Sequence, residues 1–243
     1  MKNKKGFTLA EILITLGIVG IVAALTAPAL VKNSGQAKIG PALSKFVNTF
    51  ETACEQIMID ENVSKLSDIA GTVDGLNDID PERDNYKAIN GDKLVELLSN
   101  YIIMVPAYKK GKAPYYTLNV NGVPDNDHLN NYFDLYQLKD GSIFGIQTYV
   151  PQAQNIEPPF KGIMGELWID INGDKGNNNL GKEVFLFLID DSGILIPVGS
   201  KMYYNIFKSA AKRSCDLKKA SVDRSWATVC AGAIADNGWK ADY

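Results

Sequence analysis

Hydrophobic and polar positions change their period along this chain of 243 residues, and each change predicts a different element. From Ile12 to Val31 no residue is charged. From Ile39 the apolar residues Ile39, Leu43, Phe46, Val47, Phe50, Cys54 and Ile57 recur every three or four positions, one stripe of a helix, with Lys38, Lys45, Asn48, Glu51, Glu55 and Gln56 on the opposite side. Together the two runs predict one helix from Phe7 to about Asp60, about 80 Å long if unbroken, with Pro41 as a point where it can kink. The stripe is expected to lie against a sheet.

Asn62 to Asn90 is polar, rich in Asp, Asn and Gly, and reads as a surface excursion. A second helix is predicted over Gly91 to Ile103, with Leu94, Leu97, Leu98 and Tyr101 apolar and Asn90 or Asp92 as cap. Strand signals then dominate. Tyr115 to Val120 ends at Asn121-Gly122, and Tyr132 to Leu138 turns at Asp140-Gly141 into Ser142 to Tyr149. Gly165 to Ile171, Val184 to Ile189 and Ile194 to Val198 follow, the last two joined through Asp190-Asp191-Ser192-Gly193, so that the whole predicts an antiparallel sheet. A closing helix is expected from about Arg224 to Ala235, capped at Asn237-Gly238, with Trp226, Trp239 and Tyr243 packing the chain end onto the sheet.

At about 1.5 Å per residue the uncharged run reaches across the roughly 30 Å hydrocarbon core of a bilayer. Lys2, Lys4 and Lys5 precede it, so the N-terminus is expected on the cytoplasmic side and the remainder outside. Glu11 sits near the start of the apolar stretch, where a deep carboxylate costs about 2 to 3 kcal/mol. A plain anchor explains the lysines but not Glu11, unless the acid snorkels to the interface. A secretory signal peptide offers Ala27-Pro28-Ala29 for cleavage, yet its apolar region runs only about 7 to 15 residues and carries no acid.

The string Gly6-Phe7-Thr8-Leu9-Ala10-Glu11, with lysines before it and the apolar run behind it, closely resembles the processing site of type IV prepilins and type II secretion pseudopilins. The resemblance covers Lys4 to about Asn33. It implies cleavage after Gly6 by a membrane-embedded prepilin peptidase and methylation of the new amino terminus at Phe7. Residues 1–6 would then be a leader, 7–31 the transmembrane and filament-core helix, and 32–243 a periplasmic or extracellular domain that includes the amphipathic half of the helix. The resemblance further implies an inner-membrane subunit, held in lipid with its N-terminus cytoplasmic. An inner-membrane assembly platform would pass it, with other pilin or pseudopilin subunits, into a cell-surface or periplasmic filament. Glu11 would pair there with the Phe7 amine of a neighbour, and leaving one charge of such a buried pair alone costs about 3 to 5 kcal/mol. Pro28 falls where members carry a helix-bending proline. An unwound stretch is expected between about Gly20 and Pro28, though Gly17 and Gly20 equally suit close helix packing in a membrane.

Net charge is −3, with no basic face for nucleic acid. Three cysteines fall on the outer side, where disulfides persist. Cys215 and Cys230 are the natural pair near the C-terminus, a region where pilins often carry a bridge; spacing alone does not fix the bond. Cys54, on the apolar stripe, is expected as a buried free thiol. Asp170, Asn172, Asp174 and Asn178 place oxygen side chains at alternate positions, as calcium loops do, but Gly181 stands where an EF-type loop has its bidentate glutamate. The same residues equally make a hairpin loop of Asx turns. His128 is the lone histidine, and Lys109, Lys110 and Lys112 around Gly111 read as a solvated turn. No arrangement reads as a catalytic centre.

The fold class expected is α+β and pilin-like: a long N-terminal helix, first transmembrane and then amphipathic, packed on an antiparallel sheet. The expected function is structural, as a type IV pilus-like filament subunit, with a type II secretion pseudopilin or a membrane-anchored ligand-binding β-domain as the competing readings.

Overall fold

A computed structural model describes residues 9–72, 89–109, 118–120, 123–125, 133–148, 162–173, 175, 178–208, 210–221 and 225–242, with the backbone alone at 26–35, 89–90, 118–120 and 123–125. Helix α1 (Leu9–Asp60) contributes to two units, Met1–Lys38 and Ile39–Tyr243. Its helical assignment runs on through Pro28 and Pro41, so neither a break between Gly20 and Pro28 nor one at Pro41 is present in this single chain. Each proline removes one backbone donor, and the turns on either side keep their own bonds.

In the second unit the predicted stripe is the core face. Ile39, Leu43, Phe46, Val47, Phe50, Cys54 and Ile57 are all buried, joined by Ala53, and they meet Phe144, Ile146, Leu167, Ile169, Phe185, Phe187 and Ile189 from one face of the sheet. The strands are β1 (Ile89–Asn90), β2 (Met104–Tyr108), β3 (Leu118–Val120), β4 (Val123–Asp125), β5 (Leu135–Leu138), β6 (Ile143–Thr148), β7 (Ile163–Asp170), β8 (Val184–Asp190) and β9 (Leu195–Pro197). The main sheet is antiparallel in the order β2-β5-β6-β7-β8-β9. Short β1 pairs with the Gln147–Thr148 end of β6, beyond the reach of β5, while β3 and β4 form a separate ribbon. On the other sheet face Phe133, Leu135, Ile143, Trp168 and Val184 pack with Ala220, Ala227 and Trp226.

Several boundaries differ from the sequence expectation. Helix α2 spans only Asp92–Leu98, with Gly91 at its N-cap and no side-chain cap, because the chain then turns and enters β2 to pair with β5. The closing helix is two pieces, α4 (Ser225–Thr228) and α5 (Cys230–Asp236). The Gly232 N–H donates 2.9 Å to the Val198 carbonyl, which draws it out of the ladder to Thr228. Trp239 packs against the core that α1 shares with the sheet, and its carbonyl lies against Gly40 of α1, where a Cβ would come within 1.7 Å. Helix α3 (Lys201–Ile206), absent from the sequence reading, is capped by Ser200 Oγ accepting from Tyr203 N–H. Tyr243 lies outside the described residues.

The β8–β9 turn fastens to α1 at a point the sequence did not reveal. Gly193 (φ +81°) approaches Cys54 so closely that a Cβ would come within 2.4 Å of the Cys54 Cβ. Leu195 N–H donates 3.0 Å to Glu51 Oε1. Burial raises the Glu51 carboxyl above its ordinary range, against the lowering effect of that bond and with Asp190 adding to the rise. A carboxyl raised in the folded state contributes stability fully present below its unfolded pKa and lost as pH rises through the folded value. Glu51→Gln keeps an acceptor for Leu195 and removes the charge. In thermal melts it is expected to match the parent below about pH 4 and to melt slightly higher at pH 7; a lower melting point at pH 7 would contradict this account.

Candidate functional site

The chain's functional chemistry concentrates in the first unit, described here by itself. Leu9, Ile12, Leu13, Ile14, Leu16, Ile18, Val19, Ile21, Val22 and Leu25 are all exposed on α1, an apolar surface far larger than a single soluble chain normally presents. Gly17 and Gly20 have open space where a Cβ would be. Within this surface Glu11 is the acidic residue in the first described turn of α1. Thr15 Oγ1 donates to the Glu11 carbonyl at 2.9 Å, so that hydroxyl is satisfied inside the helix. Among the described residues no helix is long and apolar enough to cross a membrane. The span expected from the sequence continues to Val31, past Leu25, where side-chain description stops. Gly6 and Phe7 lie outside the described residues, as does the Pro28 side chain.

Cys215 and Cys230 are bonded, with Cα atoms 4.6 Å apart, and the bridge ties the segment before α4 to the start of α5. Cys54 is free and buried, and its thiol is pushed well up by burial and by the charges of Glu51 and Asp190, which leaves it protonated.

Three of the four proposed calcium ligands are described, and Asp174 lies outside the described residues. Asp170 is buried and its Oδ1 accepts the N–H groups of Asn172 and Gly173, both at 3.1 Å, which is an Asx turn. Asn178 holds φ +48° and is buried; one terminal atom of its amide lies 3.1 Å from Asp170 Oδ2 and 3.3 Å from the Gly173 carbonyl. A nitrogen in that place donates to both and closes the loop with no ion, whereas an oxygen would put three oxygens together and require a cation between them. The Asn172 amide donates to the Lys175 carbonyl, and its Oδ1 is buried with no hydrogen-bond partner. Glu183, the neighbouring carboxylate, accepts instead from the Asn179 N–H at 2.9 Å.

His128, Lys110 and Lys112 lie outside the described residues. Lys109 forms an ion pair with the buried Asp134 at 2.8 Å, so it holds the end of β2 to the start of β5. Sequence reasoning missed this pair because nothing at the one-dimensional level joins two residues that flank strands which become neighbours only in the sheet.

Residues 1–27 match the family model described as the prokaryotic N-terminal methylation motif. The start of the chain is therefore a prepilin-type cleavage and methylation segment. That motif implies processing by a prepilin peptidase and assembly with other pilin-like subunits, and it is a structural motif with no enzymatic activity of its own. Searches of curated proteins and of solved structures return no match.

Proposed function

We propose that this chain is a structural subunit of a type IV pilus-like filament. Prepilin peptidase cuts it after Gly6 and methylates Phe7, it waits in the inner membrane through the apolar run to Val31, and it assembles through that same helix. The observation that carries this reading is the processing motif at residues 1–27, continuous with a helix whose large apolar side chains are exposed. Such a surface needs lipid or other copies to cover it, and within an assembled bundle Glu11 would pair with the Phe7 amine of a neighbour. Filaments sheared from cells that make the chain at its natural level should contain it; its confinement to the envelope, together with loss of protein secretion when it is deleted, would favour a pseudopilus.

The Asp170 loop is the observation that favours the pseudopilin reading, since Asp170, Asn172, Asp174 and Asn178 with the Gly173 carbonyl offer oxygens of the kind calcium takes. Calcium at millimolar concentration is expected to raise the melting temperature of the parent and to leave Asp170→Ala unmoved. An unmoved parent would leave the loop as an Asx-turn device only. The anchored β-domain that binds a ligand differs from both readings in having no use for Glu11.

A further inference from the structure

The acidic chain carries a group of cations near its C-terminal end, Lys212, Arg213, Lys218 and Lys219, around Asp216, with which Lys219 pairs at 3.6 Å. The fold gathers them. The Trp226 ring has the Arg213 guanidinium 5.6 Å from its centre and Lys219 Nζ 4.4 Å from it. The Tyr204 hydroxyl accepts from the Arg213 N–H at 2.8 Å, which fixes the segment to α3. Lys212, Lys218 and Lys219 are exposed. This ledge lies at the Val184 end of β8, where Val184 packs with Ala220, Ala227 and Trp226, and where a Cβ on Gly181 would stand 2.8 Å from Leu217.

The other end of β8 carries the opposite charge. Its turn meets α1 through Gly193 on Cys54, and the Asp191 carbonyl accepts from the Leu66 N–H at 2.8 Å. There α1 finishes with Glu55, Asp60 and Glu61 exposed beside the exposed Ile59, and its last turn contains no basic residue. The C-terminal end of a helix favours a cation, and here the chain supplies acids; Tyr101 donates its hydroxyl to Asp60, and Lys65 is engaged by Asp191 at 2.7 Å. The two patches are about 20 Å apart along the strand, too far for a copy to satisfy itself.

We propose that the cationic ledge of one copy docks on the acidic end of α1 in a second copy, a head-to-tail contact between unlike surfaces. This rests on the filament reading. A heterologous contact of this kind propagates into an open helical array instead of closing as a dimer. Exposed charge pairs add little affinity, so the contact sets register and choice of neighbour, and it weakens as salt rises.

The test is a charge swap in the full chain, in cells with their own assembly machinery. Lys212→Glu with Lys218→Glu is expected to lower the filament yield roughly tenfold, as is Glu55→Lys with Glu61→Lys; combining all four should restore it. Protein level and Cys215–Cys230 mobility on gels report whether each variant folds. As a measurement that does not depend on reversal, Lys212→Cys with Glu61→Cys in one chain should yield oxidised multimers from filaments. Reversed variants that assemble like the parent, a four-fold variant that folds yet stays unassembled, or filaments with no cross-links would each overturn the contact. So would a reversal that spares filaments but abolishes their retention of DNA, which would assign the ledge to a polyanion. A parent found in no filament would remove the filament reading itself, and the contact with it.

Discussion

Glu11→Ala is expected to insert in the membrane like the parent and to disappear from filaments. The carboxylate stands amid exposed Leu9, Ile12, Leu13 and Ile14, so in the proposed filament it would enter an apolar bundle. Removing it leaves the Phe7 amine of a neighbouring subunit as an uncompensated buried charge, a penalty of about 3 to 5 kcal/mol, or more than a hundredfold in incorporation. Insertion is spared because deleting a charge from an apolar run makes the run more apolar. Membrane fractions and sheared filaments blotted in parallel would check both halves, and unchanged incorporation would remove the pairing role.

The second large effect concerns stability. Phe50→Ala is expected to cost about 3 to 5 kcal/mol, a fall in melting temperature on the order of 10 °C for a domain of this size. Phe50 is 1% exposed and its ring centre stands 6.1 Å from that of Phe46, which in turn is 6.0 Å from Phe144 on β6, so the truncation opens a cavity where α1 meets the sheet. Ile59→Ala, about two and a half turns on and 60% exposed, should stay within about 0.5 kcal/mol of the parent. Equal losses at the two positions in thermal melts would mean that the stripe is not the core face.

The contrast between Phe50 and Ile59 was legible in the sequence because a 3.6-residue period reports which helix positions share a face, and burial follows the face. The β5–β6 hairpin was legible from the alternation of Tyr132 to Leu138, and β7 and β8 from short apolar runs between turn residues; Gly141 and Gly193, in two of those turns, hold φ of +93° and +81°. Strand β2 was not legible. Its five residues include Pro106, fall just past a segment that continues the helical pattern to Ile103, and are extended because β5 pairs with them. Helix α3 was hidden because Tyr203 and Tyr204 are residue types that favour strands, and what makes them helical is the Ser200 cap and a stack of Tyr203 on the C-cap residue Phe207, their ring centres 4.6 Å apart.

At the N-terminus the sequence carried nearly all the information, since cleavage and methylation are read from a short linear string. Elsewhere the relations are between distant residues. Glu51 was placed on the solvent side of its helix, and its carboxylate instead accepts from Leu195, a residue 144 positions away. Helical period places Glu51 next to the stripe's edge, and only the arrival of the β8–β9 turn decides that it is half-buried. The cations around Trp226 likewise become one ledge only when the Cys215–Cys230 bridge and Tyr204 bring their segments together.

Processing tests the central claim most directly. The chain should be recovered from cells that carry their own prepilin peptidase, and its intact mass and N-terminal sequence measured. A mature chain beginning at N-methylated Phe7 is the predicted result. A chain beginning at Leu30 would make it a secreted soluble domain, and an uncut Met1 a simple anchor; either would contradict assembly through a processed N-terminal helix.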